Sequence, residues 1–138
     1  MIVNETQLRV QYYETDQMGV VHHSNYIRYF ETGRTEFMRH LGLFYKALED
    51  SGIAMPITNV EVRYFHPAYY DDILFIRSSV KELPKARITF YYEIYNEERK
   101  LLASGSTTLA FIDKATGRPR RTPEAMIQAL SEHLNKQC

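Results

Sequence analysis

The chain has 138 residues, of which 44% are hydrophobic and 25% charged. It therefore has the size and composition of one compact globular domain, not of a disordered or disulfide-stapled chain. Seventeen basic and seventeen acidic residues cancel, which disfavours a nucleic-acid partner because phosphates attract a basic surface. No segment approaches the roughly 18 consecutive apolar residues of a membrane span, and the start of the chain lacks a secretion signal. We therefore expect a cytoplasmic protein without a membrane span.

The first half of the chain predicts one strand, a loop and one long helix. From Thr6 to Tyr12, residues that would face the core alternate with polar residues. This is the period-2 pattern of a strand with one face exposed to solvent. After a loop, apolar residues recur at helical spacing, with Ser24 or Asn25 as a suitable N-cap and Gly42 as a suitable stop. Gly33 lies inside this helix, where glycine costs about 1 kcal/mol relative to alanine. We therefore expect a neighbouring element to pack close to its backbone.

The second half of the chain predicts four strands in succession, because apolar and polar residues alternate or apolar residues dominate over short runs. These strands cover residues 60–64, 73–80, 88–94 and 101–112. The last strand is flanked by two predicted turns, at residues 96–99 and 114–117.

Two short helices complete the predicted elements. One helical turn is expected over residues 44–50, and Thr122, with Pro123 at the first helical position, opens a C-terminal helix. The apolar face of that helix comprises Met126, Ile127, Leu130 and Leu134. The order of elements predicts one α+β domain over residues 1–138, in which a mainly antiparallel sheet buries one face on the single long helix.

The loop before the long helix carries the most chemistry. Asp16 stands a few residues ahead of the helix, and Gly19 permits a backbone path that other residues resist. The first helical turn exposes amides without internal partners and carries partial positive charge, so it can hold a developing oxyanion. An ionised carboxylate nearby could attack a carbonyl carbon or take a proton from water. Spacing alone favours a second interpretation, in which Asp16 only caps a turn.

Two adjacent histidines, His22 and His23, raise the question of a metal site. Adjacent residues on a helix or strand point to different sides, and no HxxxH or CxxC spacing accompanies them, so we predict no metal. One imidazole could instead orient substrate or water, or satisfy a local hydrogen bond. The chain lacks G-x-S-x-G and any Cys-His arrangement, which disfavours a serine or cysteine nucleophile. Ser24 is interpreted as part of the helix cap.

Basic residues cluster at two predicted turns. Lys85 and Arg87 lie between two strands, and a second group follows the last strand. Guanidinium groups suit phosphates, but charged turns are also common as solvated surface, so both interpretations remain open. The second group comprises Lys114, Arg118, Arg120 and Arg121.

The segment ETDQMGVVHHSNYIRYFETGRTEF resembles the signature of the 4-hydroxybenzoyl-CoA thioesterase family of hot-dog proteins, and is similar to its bacterial short acyl-CoA thioesterase members. The matching positions are Asp16, Gly19, Val21, His23, Tyr26 and Arg34. A second segment, VEVRYFHPAYYDDIL, resembles the family's strand with Tyr, Pro and Asp. It departs from the family at Asp71, where glycine is common. The order of elements also agrees, so the resemblance spans nearly the whole chain.

The resemblance implies a hot-dog fold and hydrolysis of an acyl-coenzyme A thioester to free acid and coenzyme A. Asp16 would be the nucleophile or general base, and the backbone amide of His23 the oxyanion donor. The imidazole of His23 would position substrate or water. Gly19 and Tyr26 would contribute to substrate binding. No metal or redox cofactor is expected, since coenzyme A is part of the substrate.

The resemblance also implies partners. The family forms dimers or dimers of dimers with its sites at the subunit interface, so we expect a homo-oligomer. Basic residues bind the nucleotide phosphates in the family, which motivates a phosphate-binding role for Arg87, Arg118, Arg120 and Arg121.

Several alternatives remain open at this point. A hot-dog enoyl-CoA hydratase would use an Asp-His pair, but its usual segment is absent. A non-catalytic acyl-CoA binding protein is a further alternative. Glu31 and Glu36 on the long helix are the next carboxylates to test. The acyl group is also open, because Tyr26, Phe30 and Phe65 could line an aryl or an aliphatic pocket.

Overall fold

A five-stranded antiparallel sheet packs against one long helix in the computed structural model, which describes residues 1–136. The elements in chain order are β1 (Ile2–Arg9), a 3₁₀ turn (Tyr12–Glu14), α1 (Asn25–His40), α2 (Tyr45–Asp50), β2 (Ile53–Ala54), β3 (Ile57–Tyr64), β4 (Ile73–Val80), β5 (Arg87–Tyr95), β6 (Leu101–Ala110), β7 (Ile112–Asp113) and α3 (Glu124–Lys136). The α+β prediction is confirmed. Among residues 1–136, no helix is long and apolar enough to cross a membrane.

The large sheet has the strand order β1-β4-β5-β6-β3, and every neighbouring pair is antiparallel. Alternate side chains of β5 point toward α1 and are buried, as the period-2 pattern predicts. Aromatic contacts join the helix to this strand. The Phe30 and Tyr92 rings stack 4.3 Å apart, and Phe37 meets Phe90 edge-on at 5.4 Å. The core therefore lies between α1 and the inner face of the sheet.

Gly33 brings α1 into close contact with β4, which confirms the expected close approach. A Cβ atom on Gly33 would stand 2.5 Å from Ser78 Oγ and 2.7 Å from Ile76 Cγ2. No ordinary side chain fits that space. Glycine at position 33 thus lowers the helix propensity but allows the helix to lie directly against the sheet.

Two predicted strand boundaries are wrong. The predicted strand from Thr6 to Tyr12 runs from Ile2 to Arg9, because its eight residues pair one for one with β4, from Ile2 opposite Val80 onward. The predicted strand over residues 101–112 is two strands, with Phe111 between them. The second piece, β7, leaves the large sheet and pairs with β2. Both differences arise from strand partners that local alternation does not reveal.

The predicted helix starts also need correction. Ser24 occupies the N-cap position of α1, but it makes no side-chain capping hydrogen bond. Asn25 is the first helical residue, and its side chain bonds to another segment. At the other end of the chain, α3 begins at Glu124, and both the amide and the hydroxyl of Thr122 donate to the carbonyl of Lys85. Thr122 therefore anchors the segment before α3 to a loop.

Several turn predictions are confirmed. Gly42 adopts a φ of 81° just after α1, as a helix stop should. Asp71 adopts a φ of 69°, which explains why glycine is common at this position in the family that the sequence resembles. The turn over residues 96–99 closes the β5–β6 hairpin through the amide of Arg99 and the carbonyl of Asn96.

Candidate active site

A short hairpin carries Asp16 toward the start of α1. The amide of Asp16 donates to the carbonyl of Val20 at 2.8 Å, and the amide of His22 donates to the carbonyl of Glu14 at 2.9 Å. Gly19, with a φ of 78°, completes the reversal by donating to the carbonyl of Asp16 at 3.1 Å. These hydrogen bonds fix the position of Asp16 relative to the residues that lead into α1.

The carboxylate of Asp16 is exposed, and its two oxygens differ in their hydrogen bonds. Oδ1 accepts hydrogen bonds from the amides of Met18 at 2.8 Å and Val20 at 3.4 Å. This is the turn-capping role that spacing alone favoured. Oδ2 accepts no hydrogen bond from any residue in the described part of the chain. One oxygen therefore orients the side chain, and the other is available to a substrate or a water molecule.

The first turn of α1 presents an amide without a partner. The amides of Asn25 and Tyr26 donate to the carbonyls of His22 and His23, at 3.0 and 3.3 Å. The amide of His23 finds no acceptor among residues 1–136. Because the carbonyl of His22 and the amide of His23 point in opposite directions across one trans peptide, the His23 N–H is directed away from the helix. It is a free donor at the positive end of the helix dipole.

Asn25 fastens the helix start to the hairpin. Its side chain is buried, and its Nδ2 donates to the carbonyl of Glu14 at 2.9 Å. The same carbonyl accepts the amide of His22. Sequence reasoning considered Asn25 only as a helix cap and missed this role, since the acceptor lies eleven residues earlier on a segment that no local pattern connects to it.

A cleft of about 270 Å³ opens beside the helix start. It is lined by Val21, His23, Tyr26, Tyr64, Phe65, His66 and Pro67. The structure therefore brings the predicted residues His23 and Tyr26 together with Phe65, a predicted pocket residue. Asp16 and Gly19 lie on the hairpin and are not part of this lining. Sequence reasoning missed Tyr64 and His66, although both belong to the second family-like segment.

Tyr64 and Tyr26 form one wall of the cleft. Their rings meet edge-on with centroids 5.0 Å apart, and the Tyr64 hydroxyl donates to the carbonyl of His23 at 3.2 Å. Burial raises the pKa of Tyr26, with a smaller contribution from Tyr64, and a backbone hydrogen bond with Ala68 opposes this. The Tyr26 phenol is therefore neutral at physiological pH.

The two histidines do not point to different sides, contrary to the expectation from a regular helix or strand. Their ring centroids lie 4.2 Å apart, because residues 22 and 23 belong to the turn that precedes α1. His22 Nδ1 lies 2.8 Å from the hydroxyl of Ser24. That contact replaces the capping hydrogen bond expected of Ser24. Within residues 1–136, no three histidine, cysteine or carboxylate side chains are grouped as metal ligands would be.

Hydrogen bonds of Thr122 join the loop of Lys85 and Arg87 to the segment that carries the other arginines. Arg87 begins β5, and the carbonyl of Lys85 accepts both hydrogen bonds from Thr122, at 2.8 Å from the amide and 2.6 Å from the hydroxyl. This anchors the segment carrying Arg120 and Arg121 beside the β4–β5 loop. Arg118 lies in the same segment, where its carbonyl accepts the amide of Asp113. None of these arginines forms an ion pair with a carboxylate of residues 1–136.

Arg34, a position of the family-like signature, lies in the core and not in the cleft. Its guanidinium is buried and donates to the hydroxyls of Tyr45 at 2.9 Å and Tyr92 at 3.2 Å. These contacts tie α1 to α2 and to β5. Arg34 therefore supports the scaffold that carries the site.

Comparison with known proteins agrees with this architecture. Residues 10–130 match the family model of the thioesterase-like superfamily. The acyl-CoA thioester hydrolase YbgC of Escherichia coli is 31% identical over 120 residues, which cover 87% of this chain and 90% of YbgC. The putative acyl-CoA thioesterase YneP of Bacillus subtilis is 29% identical over 119 residues, 86% of each chain.

A solved structure extends the likeness to three dimensions. The DHNA-CoA thioesterase from Staphylococcus aureus superposes with a TM-score of 0.91 at 33% identity, covering 99% of this chain and 95% of its own. A family model over most of the chain and relatives above 30% identity converge on one family. The chain is therefore a hot-dog enzyme that belongs to the thioesterase-like superfamily.

Proposed function

We propose that the chain hydrolyses acyl-coenzyme A thioesters, with Asp16 driving the chemistry and the backbone amide of His23 holding the oxyanion. The observation that carries the proposal is the unpartnered N–H of His23 at the start of α1, beside the cleft. A preorganised backbone donor at a helix N-terminus stabilises the negative charge that develops on a thioester oxygen. The relatives YbgC and YneP, named as acyl-CoA thioesterases, support the substrate class.

The general-base route needs only groups of this chain and water. The Oδ2 oxygen of Asp16 takes a proton from a water molecule, and the resulting hydroxide adds to the thioester carbon. The carbonyl oxygen becomes an oxyanion facing the His23 amide. Collapse of this intermediate breaks the carbon–sulfur bond and releases coenzyme A, whose thiolate recovers the proton from Asp16. In the nucleophilic route Asp16 itself adds to the carbon and expels the coenzyme A thiolate, which leaves an anhydride. Water then opens the anhydride, and the proton that this water loses neutralises the thiolate.

The acyl group we propose is aromatic or short. The cleft beside the helix start is small and walled by the rings of Tyr26, Tyr64 and Phe65, which suit a flat ring better than a long flexible chain. The DHNA-CoA thioesterase from Staphylococcus aureus, 33% identical, supports an aryl substrate. A panel of aryl, short-chain and long-chain acyl-CoA thioesters, followed by thiol release, tests this assignment. Preference for a long-chain substrate would contradict it.

The decisive experiment compares Asp16→Asn with Asp113→Asn. Both aspartates accept the amide of the residue two positions later, Met18 at 2.8 Å and Ala115 at 2.9 Å. Asparagine keeps that acceptor, so both variants should fold. If Asp16 is the catalytic carboxylate, Asp16→Asn lowers kcat at least about a hundredfold, whereas Asp113→Asn does not. Equal kcat values in the two variants would reduce Asp16 to a turn cap.

A single-turnover reaction in ¹⁸O-labelled water separates the two routes. An anhydride at Asp16 that water opens on the enzyme side leaves one labelled oxygen in that carboxylate, which mass spectrometry of the peptide around Asp16 detects. Direct attack by water labels only the released acid. Label in the Asp16 carboxylate assigns Asp16 as nucleophile, whereas label in the released acid alone is the result that the general-base route predicts.

We further propose a dimer that joins β3 strands. β3 is an edge strand that pairs only with β6 among the described elements, and it exposes Ile57 and Tyr64. An unpaired edge of this kind offers backbone groups to a second copy. Light scattering should give two or four times the chain mass of 16.3 kDa. A monomer mass at micromolar concentration would contradict the proposal.

A further inference from the structure

Tyr64 ends β3 at the cleft, half-exposed, and its hydroxyl reaches the helix start. It donates to the carbonyl of His23 at 3.2 Å, and the amide of Tyr26 donates to the same carbonyl at 3.3 Å. Two donors from two elements thus hold one peptide of the first turn. We infer that Tyr64 is a positioning residue that keeps His23 in the orientation its amide needs to meet the thioester oxygen. The inference rests on the proposed function.

The physical reason is that a helix start is a weak point of the backbone. Terminal residues of a helix have few internal hydrogen bonds and fray readily. Without the phenol, the carbonyl of His23 would retain one donor, the long hydrogen bond from Tyr26. The φ and ψ angles of His23 would then vary more. An oxyanion donor is useful only if it is already aligned when charge develops, so looseness at His23 raises the barrier.

The ring and the hydroxyl of Tyr64 have separable roles. The ring meets Tyr26 edge-on at 5.0 Å and forms part of the cleft wall, so it contributes to substrate binding. The hydroxyl reaches past the ring to the backbone of His23. Replacing Tyr64 by Phe removes only the hydroxyl, whereas replacing it by Leu removes both features.

The test measures kcat and KM for one acyl-CoA with Tyr64→Phe and Tyr64→Leu. Loss of one neutral hydrogen bond should lower kcat about three- to tenfold in Tyr64→Phe, with KM unchanged because the wall of the cleft is intact. Tyr64→Leu should also raise KM. The matched control is Tyr91→Phe, since Tyr91 is an exposed tyrosine on the outer face of β5. It should leave kcat unchanged.

A second measurement does not depend on activity. The ¹³C resonance of the His23 carbonyl, selectively labelled, should move in Tyr64→Phe because the carbonyl loses one donor, and should remain in place in Tyr91→Phe. A stationary resonance in Tyr64→Phe overturns the inference even if activity falls. Native kcat in Tyr64→Phe, together with a loss in Asp16→Asn, overturns the inference and leaves the proposed function standing. If the native enzyme hydrolyses no acyl-CoA, both fail.

Discussion

The side-chain amide of Asn25 donates to the backbone carbonyl of Glu14 over 2.9 Å, and this hydrogen bond joins the first residue of α1 to the 3₁₀ turn that leads into the Asp16 turn. The same carbonyl accepts the amide of His22. The two parts of the proposed chemistry, a carboxylate and an amide donor, thus share one anchoring acceptor. The relative position of Asp16 and His23 depends on this buried contact.

Replacing Asn25 by Ala should therefore affect stability and catalysis together. Loss of one buried hydrogen bond lowers the free energy of unfolding by about 1 kcal/mol, measured by urea denaturation. We expect kcat to fall as well, at a temperature where the variant is fully folded, because the helix start is released from the hairpin. Asn4→Ala is the control, since Asn4 lies on β1 and its side chain makes no hydrogen bond within the described residues. A variant with native kcat would show that the contact serves folding alone.

Replacing Gly33 by Ala should destabilise the fold although alanine favours a helix. The gain in propensity is about 1 kcal/mol, whereas overpacking against Ser78 Oγ and Ile76 Cγ2 costs about 1–3 kcal/mol. We expect a net loss in the free energy of unfolding. In a Ser78→Ala background the same substitution should cost less, because the nearest atom is gone. Equal costs in both backgrounds would contradict the proposed clash.

Alkaline pH should destabilise the fold through Tyr45. Burial raises the pKa of Tyr45 to about 12 from its usual value of 10.0, although Arg34 opposes this shift. In the unfolded chain the phenol ionises at lower pH, so the stabilisation is complete below about pH 10 and is lost as pH rises toward 12. In urea denaturation from about pH 9 to about pH 11.5 the free energy of unfolding should fall, and Tyr45 should account for up to about 2 kcal/mol of that fall. The fall should be smaller in Tyr45→Phe and unchanged in Tyr91→Phe.

Removing the charges of Arg87 and Arg121 should weaken binding of coenzyme A and leave the chemistry intact. We expect Arg87→Gln combined with Arg121→Gln to raise KM for an acyl-CoA about tenfold at low salt. The KM for the same acyl group on N-acetylcysteamine, which has no phosphates, should not change. Arg39→Gln, at the exposed end of α1, is the control. An equal rise in KM for both substrates would mean that the arginines do not bind the phosphates.

Local sequence patterns predicted the elements well where residues within one element determine its conformation. The helical spacing around Phe30 and Phe37 correctly predicted α1, and the positive φ of Gly42 explains why the helix stops there. The alternation of β5 identified its buried face. These features depend on neighbours within a few residues, so the sequence displays them directly.

Local patterns failed where a contact with a residue far away in the sequence determines the structure. β1 begins at Ile2 because β4 is there to pair with it, and β7 separates from β6 because β2 offers a partner. The rings of His22 and His23 lie close together because these residues belong to a turn, whose geometry a regular helix or strand does not predict. Each error concerns a contact between residues far apart in sequence or a break in regular structure.

The sequence by itself determined which residue types are available for the chemistry: an aspartate before a long helix, a glycine that allows the turn, and the family signature around them. Only the tertiary structure decided how they are held. The carbonyl of Glu14 accepts a hydrogen bond from the start of α1, and the hydroxyl of Tyr64 on β3 donates to the carbonyl of His23. The carbonyl of Lys85 accepts a hydrogen bond from the segment that carries Arg121. The physical reason is that hydrogen bonds between distant segments have no periodicity along the chain and exist only once the sheet has closed against α1.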